Sequence, residues 1–171
     1  MLGLLGGGAY ANRDSIGGAP QRVLDELFDG PVGDLKMTAS DSTKDPELAN
    51  DGFSNTSWAG KLKDGEHSNF LEATFAGPTR LVYVFITGLK PEPLASREEQ
   101  RPSKVLISVH HKGAKEGTYQ NFPQVDVPAD TQRHGYYVGA DNVEAVRLTI
   151  VEPTSATAKS VSIAGVQFSK R

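Results

Sequence analysis

From Leu35 to the end of the chain, apolar residues recur at every second position, and this period constrains the fold more than any other feature of the sequence. Val82, Val84 and Ile86 alternate with Tyr83, Phe85 and Thr87. Val105, Ile107 and Val109 alternate with Leu106, Ser108 and His110. A helix would set apolar residues three and four apart, whereas a strand with one buried face needs this alternation, because successive side chains point to opposite sides. The pattern places strands at 35–40, 70–75, 80–87, 104–110, 119–127, 135–138, 143–151 and 160–168. Gly, Pro, Asn and Asp punctuate the runs, and no amphipathic helix lies between them, as a parallel βαβ arrangement would require. The expectation is an all-β fold, an antiparallel β-sandwich of jelly-roll type occupying residues 35–171.

Residues 1–34 read differently. The first eleven are apolar and then meet Asn12-Arg13-Asp14. A membrane-spanning helix needs roughly 20 apolar residues, and a signal peptide would carry a basic stretch ahead of its apolar one. Two readings stand: an unstructured start, or the end of a transmembrane helix with Arg13 at the interface. The second makes an N-terminal anchor the protein's link to a membrane and puts the sandwich on one side of it. Downstream, Pro20 suits a first helical turn and Gly30-Pro31 a stop, with Val23, Leu24, Leu27 and Phe28 on one face. This predicts a short N-terminal helix, either packed on the sandwich or serving as a juxtamembrane spacer.

Charge and cysteine content remove several function classes. Eighteen basic and 21 acidic residues leave a net charge of -3 without a basic stripe, so nucleic acid is not an expected partner. The absence of cysteine excludes disulfides, thiol catalysis and zinc ribbons. His110 and His111 are neighbours on a strand and point to opposite faces, so they cannot share a metal. There is no nucleophile elbow, and Gly6-Gly7-Gly8 lacks the lysine of a phosphate loop. Glu98 and Glu99 are adjacent on a loop, not opposed across a cleft. An enzyme is not expected. Asn55-Thr56-Ser57 is a formal glycosylation sequon.

Three connections are long, at 41–69, 88–103 and 152–159, and long loops on a rigid sandwich are where binding usually occurs. In the first, Ala49-Asn50-Asp51-Gly52 makes a tight turn and is followed by Thr56 and Trp58. Gly52 allows a left-handed backbone, Asp51 can bond nearby amides or a hard cation, and Trp58 offers a large plate with one donor.

These residues resemble the galactose-binding-like superfamily, the discoidin or coagulation-factor C-type sandwiches, whose mark is a small residue, then Asp-Gly, then Thr-x-Trp. The likeness continues through 70–75 and 78–86 and closes with the paired strands 146–150 and 161–168. Within the superfamily, Arg97-Glu-Glu-Gln-Arg-Pro-Ser-Lys-Val105 looks most like the NADase-type glycan-binding modules of actinobacterial membrane-anchored proteins. The resemblance implies a non-catalytic carbohydrate-binding module on the cell surface, with a glycan or cell-wall polysaccharide as partner. A protein–protein docking platform is the alternative. Where relatives carry an acidic residue in the last strand, this chain has Gly165 and Gln167. The resemblance implies a structural calcium to which Asp51 and Thr56 contribute oxygens, without that acidic residue.

Expected ligand contacts are Asp41, Trp58, His67, Arg97 and Arg101. Arg offers planar paired donors to hydroxyls or carboxylates. Trp58 has two readings, a plate for a sugar or a residue packed at the edge of the core.

Overall fold

The computed structural model describes residues 29–53, 56–62, 69–88, 99–154 and 158–171. The helix expected at 20–30 falls outside them up to its last two positions, and Gly30–Pro31 is a short strand, β1. It is followed by β2 (Leu35–Ala39), a 3-10 turn (Pro46–Ala49), β3 (Trp58–Lys61), β4 (Phe70–Thr87), β5 (Glu99–Gln100) and β6 (Pro102–His111). Next come β7 (Gln120–Asn121), β8 (Val125–Asp126), β9 (Arg133–Pro153), β10 (Ser160–Ile163) and β11 (Gly165–Lys170). Among the described residues no helix is long and apolar enough to cross a membrane.

The expected antiparallel β-sandwich is present, and two long strands build most of it. The stretches 70–75 and 80–87 form the single strand β4, and 135–138 and 143–151 form the single strand β9. Each contributes to both layers. Phe70–Thr74 of β4 lies between β2 and the 145–149 stretch of β9, which in turn pairs with β6. Leu81–Thr87 of β4 lies between β11 and the 133–140 stretch of β9. The ladder breaks between Thr74 and Thr79, around Gly77-Pro78, and β9 bends where Gly139 and Asn142 take positive φ of 62° and 54°. Glycine tolerates that backbone without cost, and asparagine better than most other residues.

The alternating apolar residues meet between the layers. Leu71, Ala73, Ile107, Val109, Val146 and Leu148 pack in one cluster with Val84, Ile86, Val166 and Phe168. Phe75 meets Phe168 edge to face at 5.4 Å. Burying a side chain of this size is worth roughly 1.5–3 kcal/mol, so the cluster outweighs any single polar contact below.

A smaller sheet, β3-β10-β5, closes one end. The run 160–168 divides at Ala164, and its halves β10 and β11 enter different sheets. Similarly, 119–127 divides into β7 and β8, both on β6. Strand β3 lies within the connection 41–69: Trp58, Ala59 and Gly60 show no alternation, because all three are buried and both faces of the strand are covered.

Candidate functional site

The registers bring several connections to one end of the sandwich. There lie the end of β2, the end of β3, the start of β4, the start of β6, the end of β9 and the start of β10. Asn69 organises this end. It is 7% exposed; its Nδ2 donates to the Lys61 carbonyl at 2.8 Å and, at 3.5 Å, to the Asp41 carbonyl, while its Oδ1 accepts from the Ser40 hydroxyl at 2.5 Å. One amide thus ties β2, β3 and β4 together, and a buried amide so satisfied rigidifies its surroundings. Gly60 makes room for it. A Cβ there would overlap Asn69 Nδ2 and lie 2.7 Å from Trp58 Cζ2 and 2.8 Å from the Asp41 carbonyl.

The expected ligand residues separate. Trp58 is completely buried, and its indole N–H donates to the Ser42 hydroxyl at 2.9 Å. No ring face is left for a sugar, so its place among the ligand contacts is corrected to the core. Asp41 is half-buried at the mouth of the first loop, its carbonyl turned toward Asn69. Arg101 is half-buried on the other flank, beyond β5, and donates from Nη1 to the Val127 carbonyl at 3.0 Å. Asp41 and Arg101 share one end of the molecule, but the β3-β10-β5 sheet keeps their flanks two strand spacings apart, roughly 10 Å. His67 and Arg97 lie outside the described residues.

Around Arg101 a polar cluster was not anticipated. Asp130 Oδ1 lies 2.7 Å from His134 Nε2 and accepts from the Gln132 backbone at 2.9 Å. The His134 contact first, and then the Gln132 amide, hold the Asp130 carboxyl below its usual range, with the Arg101 charge adding to the effect. Tyr136 donates to the Asp126 carbonyl at 2.6 Å, and burial, followed by the charges of Asp126 and Asp130, pushes its phenol to about 12. Thr154 donates to Gln100 Oε1 at 2.8 Å, joining the end of β9 to β5. A half-buried Asp fixed by His, within reach of the Arg101 charge, offers hydroxyl-rich ligands both acceptors and donors. The sequence signal available was Asp130 and His134 four apart between two strands, a spacing without meaning outside this loop.

The expected calcium donors do meet: Thr56 Oγ1 donates to Asp51 Oδ1 at 2.8 Å, and the same oxygen accepts from the Phe53 amide at 2.9 Å. These contacts make an internally satisfied Asx turn. Calcium takes about six to eight oxygens. Among the described residues no group of three His, Asp or Glu stands together. The donor set does not fit the ion, and its turn is explained by its own hydrogen bonds. Gln167, at the position noted for the last strand, accepts from Arg133 at 2.9 Å. His110 and His111 are engaged separately, by the carbonyls of Thr118 and Asp141.

A second cluster lies on the outward face of the β4–β9–β6 layer. Arg147 Nε pairs with Glu72 Oε2 at 2.8 Å, Tyr119 donates to the same oxygen at 2.6 Å, and Arg147 Nη2 reaches the Tyr119 hydroxyl at 3.0 Å. The guanidinium also stacks on the rings of Phe70 and Tyr119, 3.9 and 4.1 Å from their centroids. Each group already has its partner within the cluster.

With this geometry in place, comparison with solved structures identifies the architecture. The fold is that of the F5/8 type C and family 32 carbohydrate-binding domains. An F5/8 type C domain from Bacteroides fragilis superposes with a TM-score of 0.63 at 16% identity, covering 84% of this chain and 97% of that one. The family 32 module of NanJ from C. perfringens, solved in complex with galactose, gives 0.66 at 13% identity, with coverage of 84% and 100%. Chitosan-binding module 1 of a chitosanase/glucanase from Paenibacillus sp. gives 0.63 at 14% identity, with coverage of 80% and 96%. No protein-family profile matches the sequence, and no curated protein matches it.

Proposed function

We propose that the chain is a non-catalytic glycan-binding module whose ligand sits at the end of the sandwich marked by Asp41, Arg101 and Asp130. The observation that carries this reading is the Arg101–Asp130–His134 cluster: half-buried, fixed polar groups at strand ends, where a sugar ring would meet acceptor and donor together. Support comes from the fold, which the chain shares with modules solved with galactose, with 4,5-unsaturated mannuronic acid and with GalNAc-β-1,3-galactose. A fold hosts many functions, so the site must decide. The test is titration calorimetry against galactose, GalNAc, chitosan oligomers and uronic acids, with a glycan array for breadth. Binding that weakens at least about ten-fold in Asp130→Ala and Arg101→Ala supports the proposal, whereas binding to no glycan, or binding indifferent to both changes, sinks it.

The narrower likeness to NADase-type surface modules, and display outside a cell membrane through an upstream anchor, belong to the same proposal. They rest on the 97–105 loop and on the apolar residues 1–11. Membrane fractionation of the native host tests the second. A protein-docking reading is favoured by one observation: Phe53, beside the Asp51 turn, is 66% exposed. A single exposed ring is ordinary on a soluble surface. Phe53→Ser abolishing capture of a host protein, with glycan binding intact, would promote that reading.

A further inference from the structure

One arginine on the outward side of the β11–β4–β9 layer is held in place without being neutralised. Arg133 opens β9 and is exposed; it faces Thr87 across the ladder, and Thr87 faces Gly165 on β11. The next row is Gly135, Phe85 and Gln167. The Arg133 side chain reaches over that row: its guanidinium carbon lies 4.5 Å from the Phe85 ring centroid, and Nη1 donates to Gln167 Oε1 at 2.9 Å. Glycine at 135 leaves space for the ring, since a Cβ there would lie 2.8 Å from Phe85 Cε1. Arg80 and Arg147 each meet a carboxylate, at 2.7 and 2.8 Å. Among the described residues Arg133 meets none, and its polar partner is a neutral amide. Beside it Thr87 is half-buried, with its hydroxyl in no hydrogen bond among the described residues. With glycine at 165, no side chain stands on the other flank of Thr87, where a Cβ would lie 3.2 Å from that hydroxyl.

We propose that Arg133 and Thr87 form a carboxylate-reading subsite, and that the ligand of this module is an acidic, uronate-bearing polysaccharide. The inference rests on the glycan-binding reading above and adds the class of sugar. A guanidinium presents its N–H groups as a planar fork that matches a carboxylate. Gln167 engages one of them, and the others stay available. The Thr87 hydroxyl supplies a further donor to the same anion. Charge points the same way: Gln167 braces the arginine as a neutral acceptor, where an acid would cancel its field. Phe85 and Gln167 also fix the side chain in advance, which lowers the cost of ordering it on binding. The strand joins this subsite to the loop end. His134, which fixes Asp130, is the next residue along β9, and adjacent strand residues point to opposite sides. A ligand that touches both Asp130 and Arg133 therefore passes over the start of β9. An oligosaccharide spans that crossing, whereas a single sugar reaches one side of it.

The experiment is titration calorimetry of the full chain with oligogalacturonate, oligomannuronate and oligoglucuronate, each also after reduction of its carboxyl groups to alcohols. The wild type should bind at least one acidic oligomer about ten-fold more tightly than its reduced form, the gain expected of a charge-assisted pair. In Arg133→Ala that ratio should fall to about one. Gln167→Glu should lower it as well, while a melting temperature no lower than that of the wild type shows that the brace still holds. Arg133→Lys keeps the charge without the fork, so a ratio equal to the wild type's overturns the paired-donor geometry. Equal binding of acidic and reduced oligomers overturns the proposal and leaves the glycan-binding reading standing, as does an acid preference that survives Arg133→Ala. Binding to no oligosaccharide, acidic or neutral, removes both. A sulfated glucan that binds as tightly as the uronates, with the same dependence on Arg133, overturns the carboxylate assignment.

Discussion

The two outer faces of the sandwich are made from the same pair of strands and meet water in opposite ways. Where β4 and β9 lie with β6, the outward residues are Glu72, Thr74, Arg147 and Ser108, and their charges are matched within the sheet. Where the same strands lie with β11, the outward residues are Tyr83 and Tyr137, opposite each other across the ladder, and Phe85, opposite Gly135. The first face is complete in itself. The second is aromatic, and the difference shows that a bent strand can carry a charged surface in one layer and a ring-lined one in the other.

The largest expected effect breaks the polar face. Arg147→Ala leaves Glu72, whose side chain is 16% exposed, without its cation, and empties the space between two rings. We expect a loss of about 2–3 kcal/mol in urea unfolding, below the range for a fully buried pair because Arg147 retains some water. Next, Gly135→Val attacks the aromatic face. A Cβ there would lie 2.8 Å from Phe85 Cε1, so the ring must move, at about 1–3 kcal/mol in the same assay.

A pH prediction separates the polar face from the loop end around Asp126 and Asp130. Tyr119 is held to about 12, first by burial and then by its hydrogen bond to Glu72, and Tyr136 to about 12 chiefly by burial. An unfolded tyrosine ionises near about 10. Between those values the unfolded chain binds fewer protons than the folded one, so stability falls as pH rises from about 10 toward 12 and is unaffected by these groups below. In Glu72→Gln the Tyr119 titration, followed by ultraviolet absorbance, should move down toward its ordinary value while that of Tyr136 stays. The smallest effect is expected at the exposed edge: Arg133→Ala removes a guanidinium 4.5 Å above Phe85 and should cost about 0.5–1 kcal/mol, with the melting temperature as readout.

Much of the fold was legible because alternation records which side of a strand is buried. That signal located the strands but not their joins. Nothing in Phe75-Ala-Gly-Pro-Thr79 distinguishes a loop between two strands from a bend within one, since Gly77-Pro78 serves either. Only pairing with β9 on both sides of the bend decides. Strand β3 was hidden because both of its faces are covered, by the core around Trp58 and by Asn69 at Gly60. At the end proposed as the site, Asp41 and Arg101 were singled out from loop length and chemistry. Asp130 and His134 were missed because their significance comes from Arg101, almost thirty residues away.

The alternating runs from Leu35 onward, and the tight turn at Asp51–Gly52 ahead of Trp58, by themselves determined an antiparallel β-sandwich, because burial on one face demands a period of two. The turn proved to be architecture: Asp51 bonds Thr56 and Phe53, and Trp58 fills the core. Tertiary structure alone decided which loops share an end, which outer face is charged and which is aromatic. Those properties depend on where two long strands fold over and which neighbours they then meet, and no local pattern encodes a neighbour seventy residues distant.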